Sequence, residues 1–171
     1  MIKKIIISSL IIFILSFLFH SVYDIFPSTL TSLFFPVNES IWEHNKMVFI
    51  SYIVYMLILF IYYKKDKKNI LFFTLISFLI CVIFLTTTYS YIYLILMNKK
   101  HSVLITLIVY LISIVISQMF SLKILDKKYN IKKEKVSLIC IGVIFFIFIY
   151  FTYVPLNIPL MYDYTKNKYG I

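Results

Sequence analysis

Five apolar runs divide the chain, each bounded by lysines, prolines or small polar residues. They predict membrane-crossing helices at about residues 4–26, 40–63, 70–97, 102–122 and 136–154, because ~20 apolar residues in a helix match a hydrocarbon core of ~30 Å. The first run follows Met1-Ile2-Lys3-Lys4 and so begins like a secretory signal peptide. No small-x-small cleavage site follows it, and the next residues are bulky or polar, so it is read as a span. Pro27 and Pro36 bracket a Ser- and Thr-rich stretch that predicts a loop or re-entrant segment over 27–37. The third run is long enough to tilt, or to leave the membrane near Thr86-Thr87-Thr88-Tyr89-Ser90. Asn98-Lys99-Lys100-His101 reads as a short turn, residues 123–135 as a lysine-rich loop, and 155–171 as a polar tail. The expected fold is all-α: one transmembrane domain over 1–171, an integral membrane bundle of about five helices. Residues 27–46 and 155–171 would form its outer cap.

Composition sharpens this picture. The chain is 62% hydrophobic with a mean hydropathy of +0.96, against about 45–50% apolar for soluble domains. All 17 basic residues are lysine. A planar guanidinium clamp is therefore missing, and the lysines border apolar runs rather than alternating with aromatics. The net charge of +10 thus reads as a topology signal and excludes a nucleic-acid footprint. Lys3, Lys4, Lys64, Lys65, Lys67, Lys68, Lys123, Lys127, Lys128, Lys132, Lys133 and Lys135 fall on one side of the predicted spans. Lys46, Lys99, Lys100, Lys166 and Lys168 fall on the other. The positive-inside rule then predicts a cytoplasmic N-terminus and an extracytoplasmic C-terminus in a multi-pass protein of the cell membrane. Cys81 and Cys140 fall at different depths, so no disulfide is expected.

With that orientation, the polar residues least suited to hydrocarbon gather on the outer side. His20 and Asp24 are four apart on the first span; Glu39 and Glu43 are four apart at the start of the second, with His44 adjacent. Asp163 lies in the tail. Imidazole and carboxylate together make a ligand set for zinc, and a carboxylate–histidine pair can relay protons or activate water. Glu39, Glu43 and His44 are therefore the candidate catalytic residues. His20, Asp24, Glu43, His44 and Asp163 are the candidate ligands for a divalent metal such as zinc. No His-Glu-x-x-His helix or nucleophile motif accompanies them. Ser40-Ile41-Trp42-Glu43 equally fits a capping box, with Asn38 as an alternative cap. Trp42 suits a membrane interface, and Thr86 to Ser90 suit helix packing or bonds to their own backbone. His20 with Asp24 would also serve as a solvated interfacial pair, and His101 reads as an exposed loop residue.

The string Pro36-Val37-Asn38-Glu39-Ser40-Ile41-Trp42-Glu43-His44 resembles the PVNESxWEH-type motif of uncharacterised small polytopic membrane proteins of Gram-positive bacteria. The His20-x-x-x-Asp24 stretch and an ending with Pro159-Leu160, Asp163 and Tyr169-Gly170 are similar as well. The resemblance implies a membrane location and no particular reaction.

Three functional expectations follow. The first is an outer-leaflet polar site for metal, proton or substrate, with metal-assisted or acid–base hydrolysis of a lipid-like or peptide substrate as its enzymatic form. The second is a transport component that binds a cation or proton through His20, Asp24 and Glu39. The third is a non-catalytic subunit of a membrane complex. The lipid bilayer is the partner common to all three.

Overall fold

The computed structural model describes residues 2–64, 66, 68–92 and 103–171. The expected turn at 98–101, with His101, and the end of the third predicted span at 93–97 lie outside them. Five long helices carry the fold: α1 (Ile2–His20), α4 (Ile41–Tyr62), α5 (Ile70–Tyr91), α6 (Val103–Ser121) and α7 (Ile131–Tyr153). Two short helices, α2 (Val22–Ile25) and α3 (Thr29–Phe34), join α1 to α4. The tail ends in an antiparallel pair, β1 (Tyr162–Asp163) and β2 (Lys168–Tyr169). Each long helix, with α2 extending the first, is long and apolar enough to cross a membrane. The molecule is thus an all-α bundle.

Helices α1, α4, α5 and α6 form a closed ring, each packed on the next, and α7 leans on α5 from outside. Large apolar side chains face outward: Ile6, Leu10, Phe17 and Leu18 on α1, and Leu138, Ile139, Val143 and Phe146 on α7. Small hydroxyls face inward: Ser8, Ser9 and Ser16 on α1, and Ser113, Ser117 and Ser121 on α6. Hydrocarbon as solvent selects that distribution. Lipid solvates Leu and Phe as well as a core does, whereas small polar residues let helices approach and bond across. Tyr52 OH and Ser117 Oγ bond at 2.5 Å, and Ser77 pairs with Ser121.

Each end of the bundle has its own fastening. At the lysine-rich end, Glu134 of α7 is buried and accepts from the backbone amides of Leu71 (3.0 Å) and Phe72 (2.9 Å). A helix leaves its first amides unpaired and positively polarised, so this carboxylate satisfies two donors and their dipole together. Asn69 donates to the carbonyls of Lys127 and Lys128, both at 3.1 Å, and accepts from Asn130 N at 2.9 Å. Asn130 caps α7 by accepting from Lys133 N, so α7 starts five residues before the predicted fifth span. Charge keeps Lys132, Lys133 and Lys135 out of hydrocarbon, but it does not keep them out of a helix.

At the other end, Lys46 Nζ sits 2.6 Å from Glu43 Oε2, with both side chains buried. The ammonium also donates to Ser32 O (3.0 Å) and Thr152 Oγ1 (2.9 Å), while Thr152 donates to Glu43 Oε1 at 2.7 Å. Val37 N donates to Glu43 Oε2 at 3.2 Å. One ion pair thereby ties α3, α4, α7 and the Pro36 loop together.

Removing one member of a buried pair strands the other charge, at a cost of about 3–5 kcal/mol. Lys46→Met and Glu43→Gln should each lower thermal stability in detergent sharply, and the double variant should recover much of the loss. Additive single effects, measured by fluorescence-detected melting, would show that the two charges do not support each other.

Candidate metal centre

Three segments deliver the candidate residues. His20 is the last residue of α1, because Ser21 leaves the helical conformation at φ −102° and ψ 4°. Glu39 sits in the loop before α4. Its amide donates to Asp163 Oδ2 at 3.0 Å, while Asn38 accepts from Ser40 N (2.9 Å) and donates to Gly170 O (2.8 Å). Gly170 has φ +61°, and an added Cβ would lie 3.1 Å from both Pro155 Cγ and Thr152 O, so a side chain is excluded there. His44 lies one turn into α4, next to the Ser40 cap that accepts from Glu43 N.

These segments bring His20, Glu39 and His44 together. Glu39 Oε2 is 3.6 Å from His20 Nε2 and 3.6 Å from His44 Nε2. One ligand atom from each residue lies within 4.8 Å of the other two. All three side chains are part-exposed, with His44 the most enclosed at 17%. His44 Nδ1 lies 2.9 Å from Ser40 O. A carbonyl only accepts, so this contact assigns a proton to Nδ1 and, whenever the ring is neutral, leaves its lone pair on Nε2, toward Glu39. Metal-ligating histidines are oriented by such carbonyl contacts. Tetrahedral zinc with bonds of ~2.0–2.1 Å needs ligand atoms about 3.3 Å apart, against 3.6 Å from each histidine to Glu39.

The carboxyl of Glu39 is held below its ordinary value of 4.5, first by the His20 imidazole and then, against desolvation, by the two histidines' charge; Asp163 opposes this weakly. Burial works against ionisation of Asp163, but bonds from Thr165 Oγ1 and from the amides of Glu39, Lys166 and Thr165 prevail and lower its pKa.

The other candidate residues go elsewhere. Glu43 points into the buried pair with Lys46, so only the Ser40 half of the capping box forms; its carboxylate bonds Val37 N instead of the Ser40 amide. Asp24 lies 3.7 Å from Lys166 Nζ and is not among the three residues that converge. Asp163 is fully buried and anchors the hairpin turn through Thr165 N (2.7 Å) and Thr165 Oγ1 (2.6 Å). Thr86 accepts from Asn45 Nδ2 at 2.9 Å, and Thr87 donates to Ile83 O at 2.7 Å.

Below the three residues, a cavity of about 210 Å³ fills the ring of α1, α4, α5 and α6. Its lining is mostly apolar, including Phe13, Val48, Leu85 and Leu107, with Ser16 and Tyr110 as hydroxyls among them. Ser16 Oγ is bonded to Tyr110 OH and lies 2.7 Å from Ser51 Oγ. Composition alone does not reveal this cavity; the one sequence trace is Ser16, one helical turn before His20.

The model of a family of unknown function, DUF6512, matches residues 1–171, and the chain belongs to that family. No curated protein and no solved structure matches it.

A carboxyl with a lowered folded pKa stabilises the native state fully above its unfolded pKa, and that contribution disappears as pH falls through the lower folded value. The stability difference between the wild type and Glu39→Gln should therefore persist at pH 5 and shrink below pH ~4, under the ordinary carboxylate range. Melting curves across that interval test this; a difference already gone at pH 5 would refute the lowered pKa.

Proposed function

We propose that this chain is a multi-pass membrane protein whose extracytoplasmic end carries a divalent-metal site made by His20, Glu39 and His44. The convergence of three ligand atoms within 4.8 Å, from three separate segments, carries this reading. The tautomer assigned to His44 by Ser40 O supports it. So does the ligand chemistry, since two imidazoles and one carboxylate are a set used by catalytic zinc.

Three protein ligands leave a fourth position open, unlike the closed four-ligand sites of structural zinc. A metal there would supply Lewis acidity and a bound water ionisable near neutral pH. The protein's part is to hold the two rings and the carboxylate at the bundle's end and to keep an apolar cavity beneath them. A hydrolytic site at the outer leaflet is the enzymatic form this supports. The orientation rests on the lysines. In the fold, Lys3, Lys4, Lys64, Lys68 and the lysines of 123–135 share the end opposite the three ligands, and the positive-inside rule places that end in the cytoplasm.

Purified protein should bind one zinc or cobalt ion, with affinity falling at acid pH as protons compete for the imidazoles. His20→Ala, His44→Ala and Glu39→Gln should each weaken binding at least ~100-fold, and Asp24→Asn should leave it unchanged. No stoichiometric metal, or an Asp24→Asn loss equal to that of His20→Ala, would remove the site.

For topology, in a background lacking Cys81 and Cys140, an impermeant maleimide should label Asn157→Cys in intact cells. Lys127→Cys should react only after permeabilisation. The reverse pattern would place the ligands in the cytosol.

A further inference from the structure

We infer that the site takes a membrane-derived amphiphile with a single apolar chain and an oxyanion head, the head at the metal and the chain in the four-helix cavity. This rests on the metal centre proposed above and adds the class of ligand. His20, Glu39 and His44 line the same cavity as Phe13, Leu85 and Leu107, so the polar end and the apolar walls form one continuous space. One carboxylate and two neutral imidazoles leave a bound divalent ion with a net charge of about +1, which complements an anionic head and an open coordination position.

Depth and access point to lipid rather than to a water-soluble metabolite. From His20 down to Phe13 the cavity follows α1 for about 10 Å, given a rise of 1.5 Å per residue, inside a helix that is apolar enough to cross a bilayer. Phe17 and Val103 line it and are also 69% and 63% exposed on the bundle surface. The cavity therefore reaches the apolar face between α1 and α6, where the surrounding solvent is hydrocarbon. A volume of about 210 Å³ holds a chain of several methylenes, each nearly the size of a water. Ser16 and Tyr110 also line this space, their hydroxyls bonded to each other. Carboxylate and phosphate heads share the required chemistry.

The test uses the cobalt-loaded full chain in lipid nanodiscs, where an oxyanion entering the open position changes the visible spectrum. Decyl phosphate and decanoate are titrated beside inorganic phosphate and acetate. Burial of several methylenes predicts that each decyl probe acts at least ~100-fold below its headgroup control, and the stronger of the two names the head. Leu85→Trp and Val48→Trp, from two different helices, fill the cavity. Both should erase the chain advantage while keeping cobalt affinity and the response to inorganic phosphate. Chain partitioning into the disc is common to all three proteins and so cancels.

Failure to bind cobalt overturns the metal centre and this inference with it. Cobalt binding with an equal chain advantage in the wild type and both fillers, or no spectral response to any probe, overturns the amphiphile alone.

Discussion

The end of the bundle that carries His20, Glu39 and His44 depends on the buried pair between Glu43 and Lys46. Two charges with almost no exposure are tolerated because every strong hydrogen-bonding direction is used: Lys46 reaches Glu43, Ser32 O and Thr152 Oγ1, and Glu43 reaches Lys46, Val37 N and Thr152. In a low-dielectric interior such a cluster is costly to leave half-made, so it acts as a specificity device. It fixes where α3 and α7 meet α4 and where the Pro36 loop crosses. Glu39 lies two residues beyond Val37, and its position follows from that crossing.

A second layer then holds the loop from above. Asp163 accepts from Glu39 N while closing its own turn, and Asn38 reaches Gly170 O. The tail is thus a clasp on the segment that carries Glu39. Its small hairpin needs Asn167 at φ 53° and Gly170 at φ +61°, and both residue types tolerate that region. The polar residues shared by loop and tail serve placement of the segment that brings Glu39 to His20 and His44.

The bundle itself was legible from hydropathy, because the length of an apolar run and the crossing of a bilayer are the same physical constraint. What hydropathy does not encode is how the polar groups at that end divide. Across the break at Ser21, Asp24 takes Lys166 as its ion-pair partner while His20 meets Glu39. Stretch 27–37 reads as a proline-bracketed loop, yet it holds α3, whose Ser28–Thr31 capping box is visible as residue types but short of apolar periodicity. The two-residue strands of the tail lie below any alternation signal. Glu43 and Lys46 are three apart, which places them on one helical face. That spacing was the available sign that Glu43 already has a partner.

Adjacency in sequence explains why Glu43 and His44 serve different ends. Neighbouring helical residues point about 100° apart at 3.6 residues per turn, so one turn of α4 faces two compartments. Glu43 turns toward α3 and α7, into a closed cluster that leaves its carboxylate no room for a ligand. His44 turns toward α1 and the mouth of the ring, where the His20 ring lies tilted against it at 5.3 Å between ring centroids. A Glu-His dipeptide at a helix start therefore does not make a joint acid–base unit. It supplies one group that builds the end of the bundle and one that faces the cavity. The carboxylate that meets both imidazoles comes from Glu39, one turn earlier and outside the helix, delivered there by the loop that the buried pair holds.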